Sequence, residues 1–188
     1  DITPLQDHFS LLLLPIALIY KLLPNSYTLL ALQSLALGSL TALSAELCRR
    51  RNIAPQLTWA LAIAITLNPY SFLVNRFQFH VEVLTLPLML LAITETTQKR
   101  RWLYYSSLIL SLFAKSAQAL FGFGLALYAL ARGQRTRAGI TAGLSLAWWL
   151  IASEMASEGG DYVNIRLGYL GDSKLEIITT ILSRPWAI

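Results

Sequence analysis

The sequence predicts an all-α, polytopic transmembrane helical protein, and three observations carry that prediction. Of 188 residues, 55% are hydrophobic and 13% charged, with a mean hydropathy of +0.54, whereas a soluble domain carries ~25% charge. The apolar residues gather in runs that approach the ~20 residues needed to cross a bilayer. The charges lie between those runs, with the basic ones in short clusters. A soluble globule is excluded on these grounds. The net charge of +5 would suggest nucleic acid for a soluble chain, but loop clusters between membrane spans account for it without such a partner.

Seven runs are candidate helices: 9–23, 27–47, 53–74, 81–94, 102–114, 117–131 and 138–152. Several fall short of a full span, so some extend into polar flanks, sit beside thinned lipid or do not cross. The first is interrupted by Pro15 and closed by Pro24-Asn25. Hydropathy alone lets it cross, while a helix lying at the membrane surface is the alternative. After residue 152 the composition turns polar, with Gly159-Gly160 and Gly171-Asp172 as breakers. Segment 1–152 therefore reads as the helical domain and 153–188 as an outer loop. In that loop Ser173 would N-cap a short helix over 174–182, and Arg184-Pro185-Trp186 would mark the interface before a further helix. With Asp1 at its start and an unterminated look at 183–188, the chain reads as part of something longer.

Orientation follows from the basic clusters. Arg49, Arg50 and Arg51, then Lys99, Arg100 and Arg101, then Arg132, Arg135 and Arg137 supply nine of the fifteen Lys and Arg. The positive-inside rule makes these three loops cytoplasmic. The intervening loops and residues 153–188 then face outward, and of the ten acidic residues only Glu46 and Glu95 fall near the inner face. Trp102, Tyr104 and Tyr105 read as an aromatic belt there. Gly139 and Gly143 form a GxxxG that permits close helix packing. The single cysteine, Cys48, excludes an intrachain disulfide and a cysteine-based zinc site, and reads as a buried thiol rather than a palmitoylated one.

No P-loop, GxGxxG, GxSxG or HExxH occurs, and no cofactor or metal is expected. The candidate chemistry lies in polar residues at the outer helix ends: Asp7 and His8; Asn75, Arg76, Gln78, His80 and Glu82; and Lys115, Ser116 and Gln118. One outward polar pocket would hold them all. Each has a plainer reading: Asp7 as an N-cap, Arg76 as a snorkelling residue, His80 and Glu82 as solvated loop residues, and Lys115 as a turn marker. A metal set of Asp7, His8, His80 and Glu82 fits no dedicated spacing. Lys115 stands out because it interrupts an apolar region, where a charge is costly unless it serves a pathway, partner or substrate.

The pattern Asp7-His8-Phe9-Ser10, Leu22-Leu23-Pro24, Leu32-Gln33, Asn68-Pro69, Phe79-His80-x-Glu82 and Lys115, with the late Leu170-Gly171-Asp172-Ser173 and Arg184-Pro185, resembles a bacterial family of predicted polytopic membrane proteins of unknown function. That family in turn resembles a distant branch of the GT-C glycosyltransferases, which take a sugar from a polyprenyl phosphate on the outer membrane face. The resemblance implies about six spanning helices and makes 9–23 an outer juxtamembrane helix. It implies catalytic roles for Asp7, His8 and Glu82, and substrate binding by Lys115, Arg76 and His80. A carboxylate would act as general base in inverting transfer while cations stabilise the departing lipid phosphate. Two departures stand against full activity. The first crossing and principal catalytic Asp of that superfamily have no counterpart here, and relatives often follow the lysine with acids where this chain reads Lys115-Ser116-Ala117-Gln118.

The leading expectation is therefore a GT-C-like glycosyltransferase or a catalytically degenerate relative, in a bacterial plasma membrane or a thylakoid membrane. Its partners would be membrane lipids, a polyprenyl phosphate sugar and other membrane-protein subunits. The alternatives are a non-catalytic accessory subunit and a transporter or flippase, the last lacking any broken inverted repeat.

Overall fold

A computed structural model describes residues 9–76, 78–96, 98–157 and 168–170, with 176, 179, 180, 183 and 184. Among these residues every regular element is helical: α1 (Leu13–Leu22), α2 (Ser26–Arg50), α3 (Pro55–Thr66), α4 (Pro69–Arg76), α5 (Thr85–Glu95), α6 (Arg101–Leu112), α7 (Gln118–Ala131) and α8 (Arg135–Ser157), with 3₁₀ turns at Val81–Leu84 and Gly168–Leu170. The apolar runs end where local chemistry ends them. Asn25 opens α2 by accepting from the Tyr27 amide at 3.0 Å. Pro69, lacking an N–H, separates α3 from α4, and the Asn68 side chain accepts from the Tyr70 amide at 2.9 Å to restart the helix. Asn52 (φ 54°) and Gly133 (φ 74°) take the left-handed conformation that reverses the chain after α2 and α7.

Three antiparallel hairpins result, α2–α3, α5–α6 and α7–α8, with α2 packed on α5. Their turns meet at one end, the basic pole. There Arg50 Nη1 reaches Glu95 Oε1 at 2.7 Å, Arg51 donates to the Tyr128 hydroxyl, and Arg137 donates to the backbone oxygens of Glu95 and Gln98 at 2.9 and 3.0 Å. The three basic loops thus share one end of the fold, as their charges led one to expect. The Arg137 donors satisfy carbonyls that the end of α5 leaves open.

At the opposite end, the lysine pole, the Leu12 amide donates to the Phe113 carbonyl at 3.0 Å, and Phe9 stacks on Trp148 with centroids 5.6 Å apart. Leu12 and Ile16 pack with Ala114, Leu29, Phe79 and Leu84. Because α1 starts on Phe113 and its far end is joined within three residues to the start of α2, both of its ends belong to this pole.

The polarity of the bundle is inverted relative to a soluble protein. Leu18, Leu22, Leu57, Trp59, Leu120 and Leu127 are exposed, while Gln33, Ser107, Ser111, Thr141 and Ser145 are buried. Thr141 pairs with the Tyr104 hydroxyl at 2.8 Å, and Ser111 and Ser145 each donate at 2.8 Å to a carbonyl of their own helix, of Leu108 and Thr141 respectively. An apolar exterior around small polar interior residues is the packing of helices in lipid.

Four expectations are corrected. Among the described residues two helical stretches, Ser26–Arg50 and Pro55–Arg76 (α3 continued by α4), are long and apolar enough to cross a membrane, rather than six. At ~1.5 Å per residue, the 11 to 14 residues of α5, α6 and α7 cover well under the ~30 Å hydrocarbon thickness. Tyr104 is not part of a surface belt, for it is fully buried beneath Arg137, whose guanidinium sits 5.0 Å from its ring centre; Trp102 is exposed. Gly139 and Gly143 bring nothing close, since a Cβ at either meets no atom within 4 Å. The close approach is instead at Gly122, where a Cβ would lie 2.0 Å from Ser145 Oγ. Finally, α8 runs past residue 152 to Ser157. The expected helix over 174–182 lies largely outside the described residues.

Candidate functional site

The lysine pole is assembled by three segments, the break between α4 and α5, the turn between α6 and α7, and the first half of α2. Gln33 organises it. Buried within the apolar α2, its side chain donates through Nε2 to the Val74 carbonyl at 3.0 Å and accepts the His80 amide on Oε1 at 2.8 Å. One amide thereby serves the backbone on both sides of the loop that follows α4. Beside it Ser34 donates to Asn75 Oδ1 at 2.9 Å.

The His80 backbone is extended, and the chain then tightens into the 3₁₀ turn that carries Glu82. Lys115, just past the end of α6, reaches Glu82 Oε1 with Nζ at 3.0 Å across 33 positions of sequence. Both side chains are partly exposed, at 27% and 37%. Burial pushes the Glu82 carboxyl upward. Its own backbone amide, the Lys115 hydrogen bond and the charges of Lys115 and His80 outweigh that and hold it below its ordinary value. Glu82 is thus kept as an anion and Lys115 is held over it. The Lys115 carbonyl accepts from Trp148 Nε1 at 3.2 Å, which ties the lysine turn to α8. Next along the chain, Gln118 is buried, and its Oε1 has no hydrogen-bond donor among the described residues.

The other candidates are spread around this pair. Arg76 ends α4, exposed, with its guanidinium 5.9 Å from the Phe72 ring centre. His80 is exposed and is anchored through its backbone. Asp7 and His8 lie outside the described residues, though Phe9 and Ser10, which follow them, dock at Trp148 and Phe113. Among the described residues no group of three or more His, Cys, Asp or Glu is placed to hold a metal.

Two features escaped the sequence. Gln33 as an organiser was signalled only by its being a lone amide in an apolar helix. The network of Arg50, Glu95 and Arg137 joins residues more than 40 positions apart, and the alternation of loop charges foretold its location but not its partners.

Residues 1–188 match a family model described as Predicted membrane protein (DUF2079). No curated protein and no solved structure matches the chain.

Proposed function

The chain belongs to the DUF2079 family of predicted membrane proteins, and on that premise we propose that it is a GT-C-like membrane glycosyltransferase, or a catalytically degenerate relative, that receives a polyprenyl phosphate sugar at the lysine pole. The observation that carries the reading is the Lys115–Glu82 pair, a cation and an anion held 3.0 Å apart at the end of the bundle away from the arginine clusters. In this reading the basic pole is cytoplasmic and α1 lies along the outer membrane boundary. Lys115, supported by Arg76 and His80, meets the carrier phosphate. Glu82, with Asp7 and His8, serves the acceptor: a carboxylate takes the acceptor proton as the acceptor oxygen bonds to the sugar. The bond between sugar and phosphate oxygen breaks, and the electron pair leaves on the lipid phosphate. Gln118 Oε1 would take a hydrogen bond from a sugar hydroxyl, which relieves an orphaned buried acceptor otherwise costing ~1–3 kcal/mol.

The pair gives the test opposite signs. Lys115→Ala should weaken binding of undecaprenyl phosphate in nanodiscs by roughly 10- to 150-fold, the scale of a charge-assisted hydrogen bond. Glu82→Gln should leave binding equal or tighter, because it frees Lys115, while abolishing any transfer. Unchanged binding in Lys115→Ala returns the lysine to a turn residue.

One observation favours a second reading, a non-catalytic accessory subunit. The charge of Lys115 is already matched by Glu82, and Ser116 and Gln118 follow it where acids would be expected. Stoichiometric copurification with a larger membrane complex, with no carrier lipid bound, would establish that role.

A further inference from the structure

A cavity of about 900 Å³ opens between the α2–α3 hairpin, α5 and α7, at the upper end of the range that holds small ligands. Its walls are aliphatic and aromatic, among them Leu61, Met89, Ile93 and Phe121. From Ala117, which caps α7, it extends to Tyr128, eleven residues or ~16 Å, about half of the ~30 Å hydrocarbon layer and enough for one acyl chain. Gly124 lies on its wall, and a Cβ there would meet nothing within 4 Å. The space is therefore left open by the absence of a side chain on an otherwise bulky helix face.

The end of the cavity at the basic pole is built differently. Arg51 and Tyr128 line it and are hydrogen-bonded to each other. Arg49 and Arg50 are each paired with Glu46 or Glu95, but among the described residues Arg51 meets no carboxylate. The Tyr128 hydroxyl accepts from Arg51, which leaves its own hydrogen to donate, and the guanidinium keeps further donors. An apolar slot long enough for one acyl chain thus ends in a guanidinium that meets no carboxylate among the described residues and in a phenol donor.

From this geometry we propose that the cavity binds one acyl chain of an anionic phospholipid from the leaflet at the basic pole, with the phosphate held by Arg51 and Tyr128. The phosphate end of the site, at Arg51 and Tyr128, lies at the opposite pole from Lys115, and the proposal does not depend on the transfer reading. The chain length follows from the length of the slot, and the headgroup charge follows from Arg51 being the arginine of its cluster that meets no carboxylate among the described residues.

The test places the full chain in nanodiscs of phosphatidylcholine doped with phosphatidylglycerol and counts retained lipids by native mass spectrometry. The wild-type chain should keep one phosphatidylglycerol in preference to phosphatidylcholine. Arg51→Gln should cut that preference by about tenfold or more. Gly124→Leu, which fills the slot, should lose retention of either lipid. Gly139→Leu, equally open but off the cavity, should retain it. Equal retention of the two lipids by the wild type overturns the proposal, as does undiminished phosphatidylglycerol in Gly124→Leu. A disulfide-linked dimer of Gly124→Cys that carries no lipid would show a second copy in the slot and overturn it as well. Should Gly124→Leu fail to fold, the exposed Arg51→Gln decides the matter by itself.

Discussion

Arg50 Nη1 lies 2.7 Å from Oε1 of Glu95, a carboxylate with no exposed side-chain surface, and so fastens the last turn of α2 to the last turn of α5. The two partners are not equivalent. Arg50 also meets Glu46 at 2.6 Å, whereas the other carboxylate oxygen of Glu95 has no partner among the described residues. Arg50→Gln should therefore strand a buried anion and cost ~3–5 kcal/mol. Glu95→Gln, which keeps a carbonyl acceptor and leaves Arg50 on Glu46, should cost distinctly less. Thermal unfolding in one detergent compares them, and equal losses would refute the asymmetry.

Replacing Gln33 by Leu keeps the apolar character of α2 but unpairs the His80 amide and the Val74 carbonyl. Each orphaned group costs ~1–3 kcal/mol. The loss should be local. Hydrogen exchange over residues 74–84 should rise well above that in α7 and α8, and uniform exchange would deny Gln33 its organising role.

At the Gly122 contact, Ala should be destabilising by ~1–3 kcal/mol, because its Cβ would lie 2.0 Å from Ser145 Oγ and 3.0 Å from Ser145 Cβ. Ser145→Ala removes the nearer atom and should recover part of the loss. Gly143→Ala, facing open space, should be neutral or slightly stabilising. Melting temperatures of the wild type, Gly122→Ala, Ser145→Ala and their double variant close this cycle, with Gly143→Ala as the control.

The Glu82 carboxyl is held below its ordinary value of 4.5, so its pairing with Lys115 stabilises the fold fully above that value. That contribution is lost as the pH falls through the lower folded-state value. The exposure of both partners limits it to ~0.2–1 kcal/mol. Lys115→Met should flatten the acid-side loss of stability, and an unchanged pH profile would show that the pair contributes nothing.

Single cysteines in a Cys48→Ala chain report the two poles. Asn52→Cys and Gln134→Cys should react with an impermeant thiol reagent from the same side of sealed vesicles, and Gln78→Cys from the other. Labelling of Asn52→Cys and Gln78→Cys from one side would show that the basic and lysine poles do not lie on opposite faces of the membrane.

Much of this architecture was legible because hydropathy and punctuation act locally. Pro24-Asn25 and the Arg49 cluster each interrupt an apolar run, through a missing donor or a charge, and the helices stop there, whereas the run read as one helix over 53–74 is broken at Asn68-Pro69 into α3 and α4. Charge alternation likewise foretold which loops would gather. Crossing number was not legible, since apolar runs do not reveal that the chain before α5 tightens into a 3₁₀ turn. Nor does a GxxxG spacing say which way it faces: Gly139 and Gly143 matched the motif, and Gly122, which matched none, makes the close contact. Lys115 was conspicuous as a charge, but its partner depended on the path of the Gln33-anchored loop, which only the fold sets.

The buried hydrogen bond between Tyr104 and Thr141, which joins α6 to α8, bears on how such a bundle forms. Helices already surrounded by acyl tails release no ordered water when they meet, so their assembly draws on contact shape and on hydrogen bonds of ~0.6 kcal/mol each. Insertion and assembly then become separable steps with different thermodynamics. The first is entropic and carries the heat-capacity change of apolar transfer; the second is enthalpic, reversible and nearly free of one. A chain whose hairpins have come apart within a micelle should keep its helical circular dichroism and regain its tertiary contacts without ever leaving the lipid phase.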